Sequence, residues 1–575
     1  MPVHNEDIAR AFDELADLLE IEGANPFRVR AYRTAARTVR GLGHNLSELV
    51  SAGEDLSKLP GIGKALAAKI REMLATGKVR ALEKLHEEVP ASIEELLKIP
   101  GLGPKRVKEV FEKLEVRDRE GLLKAVQDGR LRALPGFGPK TERSILDALR
   151  AKREKKPRVL HTTAAEYGEP LAQWLREAPG AQRVVIAGSY RRGKETVGDL
   201  DILVTTSRAE EAMERFVSYD EITEVISRGH TRSSVLLGSG LQVDLRVVEP
   251  ESFGAALHYF TGSKAHNIAV RRLGQQQGIK INEYGVYRGE RRIGGETEES
   301  VFEAVGLPFI PPELREGGDE IEAAQAGRVP TLVELGDLQG DLHAHTNASD
   351  GDAGLQAMAL AAKAWGLKYL AITDHSRQLA MAHGLDSTRL LHQIDEIDRL
   401  NDRLTGITLL KGIEVDILED GSLDLADAVL SRLDLVIGSV HTYFRLPAQK
   451  QTERILRAMD HRYFTILGHP SGRLLGERPA YPVDMERLVR HAAERGCYLE
   501  LNAQPQRLDL TDQYCRMARD EGVLVSIDSD SHREQGFANL RWGVQQARRG
   551  WLEKDQVLNT RSLRALRKLL RATMS

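Results

Sequence analysis

Two sets of side chains in this 575-residue chain have the types and spacing to hold divalent metals. The first is Asp199-Leu200-Asp201, whose second aspartate opens the apolar run Ile202 to Val204. Residues i and i+2 of a strand point to the same face, so these carboxylates can share cations. Asp244 lies in the alternating run Leu241-Gln242-Val243-Asp244-Leu245-Arg246-Val247 and can supply a third carboxylate from a neighbouring strand. Hard oxygen ligands suit Mg2+. Two such ions roughly 4 Å apart stabilise both the attacking and the leaving oxygen of an in-line phosphoryl transfer. Just upstream, Ser189 and Arg192 of Gly188-Ser189-Tyr190-Arg191-Arg192-Gly193 would grip a triphosphate.

The second set begins at Asp341-Leu342-His343-Ala344-His345 and continues with Asp350, Thr373-Asp374-His375, Gly412-Ile413-Glu414, Gly438-Ser439-Val440-His441, Gly468-His469-Pro470 and Asp528-Ser529-Asp530-Ser531-His532. Most of these follow a short apolar run, and ligands at successive strand ends of a barrel converge on one rim. His343, His345, Asp350, His375, Glu414, His441, His469, Asp530 and His532 make nine candidate ligands. That number serves two or three metals with a bridging water acidified toward hydroxide, able to attack phosphorus. Imidazole with carboxylate suits Mn2+, Zn2+ or Fe2+ alike. Histidine is concentrated accordingly, with 10 of 17 from residue 341 onward. His383, His392, His461 and His491 fall on helical or loop segments and are read as structural, and Asp374 as standing behind the ligands.

The length suggests about three to five domains. With 41% hydrophobic and 29% charged residues the chain has ordinary cores and is neither disordered nor fibrous. No apolar run approaches the roughly 18 to 20 residues of a membrane span, and no signal peptide is evident. Only Cys497 and Cys515 are present, so a disulfide framework and a cysteine-rich zinc site are excluded. A soluble cytoplasmic protein is expected. Charge is uneven: residues 1–158 carry 31 Lys/Arg against 25 Asp/Glu, and the remainder 50 against 60. The basic end is the candidate nucleic-acid surface.

Residues 5–150 read as amphipathic helices, for example Glu6 to Glu20, Pro26 to Leu42 and Lys64 to Thr76. Within them Leu59-Pro60-Gly61-Ile62-Gly63-Lys64 recurs as Ile99-Pro100-Gly101-Leu102-Gly103-Pro104 and Leu134-Pro135-Gly136-Phe137-Gly138-Pro139. One copy would be an ordinary turn between helices; three in the basic segment form a repeat. A Gly-x-Gly turn without side chains lets backbone N–H groups approach a phosphate. Short β-rich runs begin near Arg183, after the charged junction Lys152 to Arg158, and predict a mixed sheet. Beyond the polar stretch Pro311 to Arg328, strands such as Tyr369 to Thr373 and Leu433 to Ser439 alternate with helical segments and predict an α/β barrel.

The repeats resemble the helix-hairpin-helix motif. With the Gly-Ser and Asp-x-Asp segments they resemble the family X DNA polymerases, of which polymerase beta is the familiar member, over about residues 1–310. Further motifs carry the likeness: Tyr259-Phe260-Thr261-Gly262-Ser263, similar to the family's sugar-discriminating segment; Asn267, similar in position to a minor-groove contact; and Ile281-Asn282-Glu283-Tyr284. Residues from about 338 to 575 resemble the polymerase and histidinol phosphatase (PHP) domain.

These resemblances imply a multidomain protein: an all-α N-terminal helix-hairpin-helix region, an α+β nucleotidyltransferase palm and a C-terminal distorted (β/α)7 PHP barrel. The implied segments are a lyase-like 5′-phosphate-binding domain at 1–85, a hairpin DNA-binding subdomain at 86–155, the palm at 156–250, a nucleotide-selection subdomain at 251–315, a linker at 316–337 and the PHP domain at 338–575. Asp199, Asp201 and Asp244 would be catalytic with Mg2+. Gly188, Ser189, Arg192, Tyr259, Phe260, Gly262, Lys264 and Asn267 would bind the nucleotide. Gly61, Gly63, Gly101, Gly103, Gly136 and Gly138 would hold DNA. Lys264 stands where the vertebrate beta enzyme is acidic. Lys69 falls where some members carry a Schiff-base lysine, while Ala65 and Ala81 replace two basic positions of that phosphate pocket.

His343 and His345 would lead a nuclease centre holding Mn2+ or Zn2+/Fe2+. The implied function is template-directed gap filling with 3′-5′ exonuclease trimming, extended to abasic-site cleavage, blocked 3′ ends and deoxyribose-phosphate removal. The partners would be gapped or nicked duplex DNA and dNTPs, with no membrane and a monomeric chain. The rival readings are a PHP domain that hydrolyses a small phosphate ester or pyrophosphate, a PHP scaffold, and a DNA-binding protein with an inactive polymerase.

Overall fold

The computed structural model describes residues 3, 5–40, 46–59, 61–88, 96, 97, 99, 102–134, 137–150, 158–379 and 382–574. The chain divides into two compact units, Met1–Pro157 and Arg158–Ser575.

The first unit is helical. Its longest helices are Asn5–Glu22, Pro26–Arg40, Lys64–Thr76, Pro104–Leu114 and Pro139–Arg150. One apolar cluster runs through it, including Phe12, Leu15, Tyr32, Ile70, Val107, Leu122 and Ile145. The three repeats share one local geometry. The N–H groups of Ile62, Leu102 and Phe137 donate to the carbonyls of Leu59, Ile99 and Leu134, at 2.9, 3.0 and 3.3 Å. All three donors bury their side chains. The hydrophobic residue between the glycines therefore pins the turn to the core, while Gly61, Gly63, Gly103 and Gly138 are exposed.

The second unit starts with a two-residue strand β1 (Val159–Leu160), helix His161–Arg176 and β2 (Ala181–Ile186). Helix Gly188–Arg191, β3 (Thr196–Val197), β4 (Asp199–Thr206), β5 (Ile222–Arg228), β6 (Arg232–Leu237) and β7 (Gln242–Val247) follow. The main sheet has the order β2-β4-β7-β6-β5, with β4 and β7 parallel and the other neighbours antiparallel. Helices Phe253–Thr261 and Lys264–Gln276 lead into a small antiparallel sheet of β8 (Ile279–Asn282), β9 (Gly285–Arg288) and β10 (Arg291–Gly294). The polar stretch toward the barrel is packed rather than free: helix Glu320–Gln325 buries Ala323 and Ala324 with Phe302, Leu314 and Trp551.

The barrel is parallel throughout. Its strands are β11 (Gly340–Asp341), β12 (Tyr369–Ile372), β13 (Thr408–Lys411), β14 (Glu414–Asp416), β15 (Ile437–Ser439), β16 (Ile466–Leu467), β17 (Tyr498–Asn502) and β18 (Val525–Asp528). They form two arcs, β11-β12-β13 and β14 through β18. Gly412 and Ile413 join β13 to β14 as one interrupted strand, whose first half pairs with β12 and second half with β15. The bridge between Ala344 and Ser531 brings the two ends together, giving seven strand positions around the ring. The strands are buried on both faces, as parallel strands under helices must be. Among the described residues no helix is long and apolar enough to cross a membrane.

Candidate functional site

Strand β4 carries Asp199 and Asp201 on one face, and the parallel register sets Asp201 directly beside Asp244 on β7. All three are half-buried. Asp244 accepts from Gln242 at 2.9 Å and from Arg232 at 3.3 Å. Burial works against its charge, but bonds from Ser234 and Gln242 and the Arg232 guanidinium outweigh it and hold the carboxyl below its usual range. Gly188 closes the site from the next loop. At φ +66° a β-carbon there would stand 3.0 Å from Asp201 Oδ2, so a side chain would be strained and would crowd the carboxylate. The Ala187 N–H donates to the Asp201 carbonyl at 2.7 Å, tying Gly188 and the half-buried Ser189 to β4.

Arg192 is held on both sides: Nη1 donates to the Thr261 carbonyl at 2.5 Å and Nε to Glu316 at 3.0 Å. Tyr259 and Phe260 meet edge to face at 4.9 Å, under Arg271 and Arg246 respectively. Gly262 is buried and Lys264 exposed at the start of its helix. Asn267 is buried, its amide donates to the Tyr259 carbonyl at 2.7 Å, and its Oδ1 has no partner among the described residues.

In the helical unit, Gly63 and Gly103 cap helices Lys64–Thr76 and Pro104–Leu114, and Gly138 precedes Pro139–Arg150. Among the described residues, nothing lies within 4 Å of where a β-carbon would stand on any of the three. Each leaves helix N–H groups open to an anion. Gly61 packs on Thr34, and Gly101 and Gly136 lie outside the described residues. Lys69 is half-buried on helix Lys64–Thr76.

At the C-terminal rim of the barrel, three groups bring ligand atoms within 4.8 Å of one another: His345, Asp350, His375 and His532; His343, His345 and Asp530; His375, Glu414 and His441. His469 falls outside these groups and meets Glu414 Oε1 at 3.0 Å. The donor set fits divalent metals. Among the described residues, His343 Nε2 and His345 Nδ1 are buried without a hydrogen-bond partner, and their neighbours are carboxylates, with Glu414 at 3.5 Å from the first and Asp350 at 3.8 Å from the second. Burial opposes charge here, yet the surrounding imidazoles hold Glu414 and Asp530 well below the usual carboxylate range.

Several partners went unnoticed in the sequence. Glu500 accepts from His343 Nδ1 at 2.5 Å and Asp416 from His441 Nδ1 at 2.8 Å, orienting the imidazoles and raising their basicity. Glu414-Val415-Asp416 and Glu500-Leu501-Asn502 carry the same period-two signal as Asp199-Leu200-Asp201. Asp374 accepts from Thr346 at 2.6 and 2.8 Å and from Gln393 at 2.5 Å, fastening the loop between His345 and Asp350.

Five family models match in chain order: a helix-hairpin-helix domain at 3–79, a SAM-like helix-hairpin-helix tandem at 93–151, DNA polymerase beta palm at 159–253, DNA polymerase beta thumb at 256–316, and a PHP domain at 341–504. The class is thus a polymerase-beta-type polymerase fused to a PHP domain. Over 99% of its length the chain is 38% identical to the whole of "DNA polymerase/3′-5′ exonuclease PolX" of Bacillus subtilis (strain 168). It belongs to that PolX family, whose polymerase and PHP parts are metal dependent. About a third of it also matches proteins named "Probable phosphatase". The one from Acetivibrio thermocellus is 32% identical over 33% of this chain and 78% of that protein. The one from Thermoanaerobacter sp. (strain X514) is 29% identical over 38% and 89%.

Proposed function

We propose that this chain fills short gaps in DNA from its palm and trims 3′ ends from its PHP barrel. The observation that carries the reading is the presence of two separate constellations on one chain, the aspartate triad of β4 and β7 and the imidazole-carboxylate rim of the barrel. Asp199, Asp201 and Asp244 would hold Mg2+, and the nine rim residues would hold Mn2+ or Zn2+/Fe2+. Bound ions supply charge neutralisation at phosphorus and, in the barrel, an acidified water. Ser189 and Arg192 bind the triphosphate, and Tyr259, Phe260, Gly262, Lys264 and Asn267 line the nucleotide's place. The open caps at Gly63, Gly103 and Gly138 bind backbone phosphates without reading sequence, joined by Gly61, Gly101 and Gly136.

The substrates are then dNTPs and gapped or nicked duplex DNA, acted on by a monomer in the cytoplasm. Abasic-site cleavage and removal of 3′ blocks are extensions of the barrel's chemistry, and Lys69 is the nucleophile of any deoxyribose-phosphate removal. The segments are a lyase-like 5′-phosphate-binding domain at 1–85, a hairpin DNA-binding subdomain at 86–155, the palm at 156–250, a nucleotide-selection subdomain at 251–315, a linker at 316–337 and the PHP domain at 338–575. The probable-phosphatase relatives favour a second reading for the barrel, hydrolysis of a small phosphate ester.

The test is a 5′-labelled primer on a one-nucleotide-gap template with Mg2+ or Mn2+. Asp199→Ala/Asp201→Ala should shorten the primer but not extend it, and His343→Ala/His345→Ala should extend but not shorten it. Normal trimming by the histidine variant sinks the nuclease assignment and leaves the small-ester reading.

A further inference from the structure

Helix Leu540–Arg549 of the PHP segment lies directly against the palm loop that runs from Gly188 to Thr196. Trp542 meets His161 edge to face at 5.2 Å, and His161 stacks on Tyr190 at 4.5 Å. Gln546 donates to Glu195 Oε1 at 2.6 Å, a carboxylate that Arg473 also grips at 2.6 and 3.2 Å. Gly193, at φ +66°, makes room for Gln545, since a β-carbon there would stand 2.6 Å from Gln545 Cγ.

The deepest contact is made by Arg549, whose side chain is 2% exposed. Its Nη1 donates at 2.9 Å to both the Arg192 carbonyl and Glu316 Oε1, and its Nη2 donates to Asp512 at 2.5 Å. Glu316 in turn holds the Arg192 guanidinium at 3.0 Å and lies 3.7 Å from Lys194. Arg192 is therefore fixed by its carbonyl through Arg549 and by its guanidinium through Glu316. That glutamate is shared among three cations.

We infer that Arg549 and Glu316 are a positioning pair for the polymerase reaction, through which the PHP segment sets how firmly Arg192 can grip an incoming triphosphate. The inference rests on the reading of Arg192 as a triphosphate ligand. A carboxylate shared with Arg549 pulls less on Arg192 than one left to Arg192 and Lys194 alone. Without Arg549 the triphosphate must compete with the undiluted glutamate, and the loop also loses the anchor on its carbonyl. The cost falls on nucleotide binding rather than on the chemical step.

The experiment measures KM for dNTP and kcat in single-nucleotide gap filling, with 3′ trimming and Tm on the same full-length preparations. Arg549→Gln should raise KM about tenfold, the scale of one charge-assisted hydrogen bond, with kcat, trimming and Tm little changed. Arg549→Lys should recover much of the loss, and adding Glu316→Gln to Arg549→Gln should bring KM back toward wild type. An unchanged KM, a KM defect that Glu316→Gln does not relieve, or a parallel fall of kcat, trimming and Tm each overturns the inference, the last because it marks a merely structural arginine. Arg192→Ala separates the two layers: if it leaves KM unchanged, the reading of Arg192 itself has failed.

Discussion

Replacing Glu500 by Gln should weaken the barrel's metals without touching the palm. Glu500 is wholly buried on β17, with Oε1 2.5 Å from His343 Nδ1 and Oε2 2.5 Å from the backbone nitrogen of His469. Glu500 accepts from both neighbours, which holds a proton on Nδ1 and directs His343 Nε2 toward Glu414 and Asp530, where it would take a metal. A glutamine has one acceptor. Whichever way its amide turns, its NH2 group faces a donor, and one buried donor is left unpaired at a cost of about 1 to 3 kcal/mol. The removed charge also lowers the basicity of His343. Losing such an orienting partner costs on the order of 10- to 100-fold in metal affinity, about 1.4 to 2.7 kcal/mol.

The assay is trimming of a 5′-labelled primer across a Mn2+ titration, with bound metal measured by mass spectrometry. The variant's Mn2+ dependence should shift upward by about one to two decades and trimming should recover at saturating Mn2+. Gap filling in Mg2+ should be unchanged. Unaltered Mn2+ dependence and metal content would refute the role of Glu500. Equal loss of gap filling would show that the fold, not the metal site, had been damaged.

Gly103→Asp meets no neighbour among the described residues, and an aspartate N-cap should hold or slightly raise Tm. It nevertheless sets a carboxylate where a DNA phosphate is expected, so affinity for gapped duplex should drop and the salt slope should shrink by about one; undiminished affinity excludes that hairpin from the DNA surface. Acid should expose His161. Burial, opposed by the Lys194 carbonyl and aided by Arg541 and Arg549, pushes its imidazole down to about 4. Between roughly pH 6.5 and 4 the unfolded chain holds a proton that the native one lacks, so stability falls with pH through that window, by up to about 3 kcal/mol. His161→Phe keeps the stack on Tyr190 and should flatten this part of the Tm curve; a curve parallel to wild type would discount His161.

What the sequence determined by itself was local. Asp199-Leu200-Asp201, the His-x-His and Asp-x-His pairs and the three Pro-Gly-x-Gly turns work over distances of two to six residues. There the pleat of a strand or the closure of a turn fixes which groups face together. Those signals were enough for the helical region, the mixed sheet, the barrel and most of the side chains that converge on its rim. Tertiary structure alone decided the remainder. Glu500 reaches His343 across 157 positions and Arg549 reaches Arg192 across 357, and no local spacing pairs residues so far apart. The amide of Asn267 donates to the Tyr259 carbonyl, a partner that residue type alone does not announce. The seven barrel positions that the resemblance implied are built where β12 and β15 share the strand broken at Gly412, and the polar stretch before the barrel packs where Trp551 closes the apolar cluster beneath it. Such pairings exist only once burial has brought distant segments together, since chain geometry relates only near neighbours.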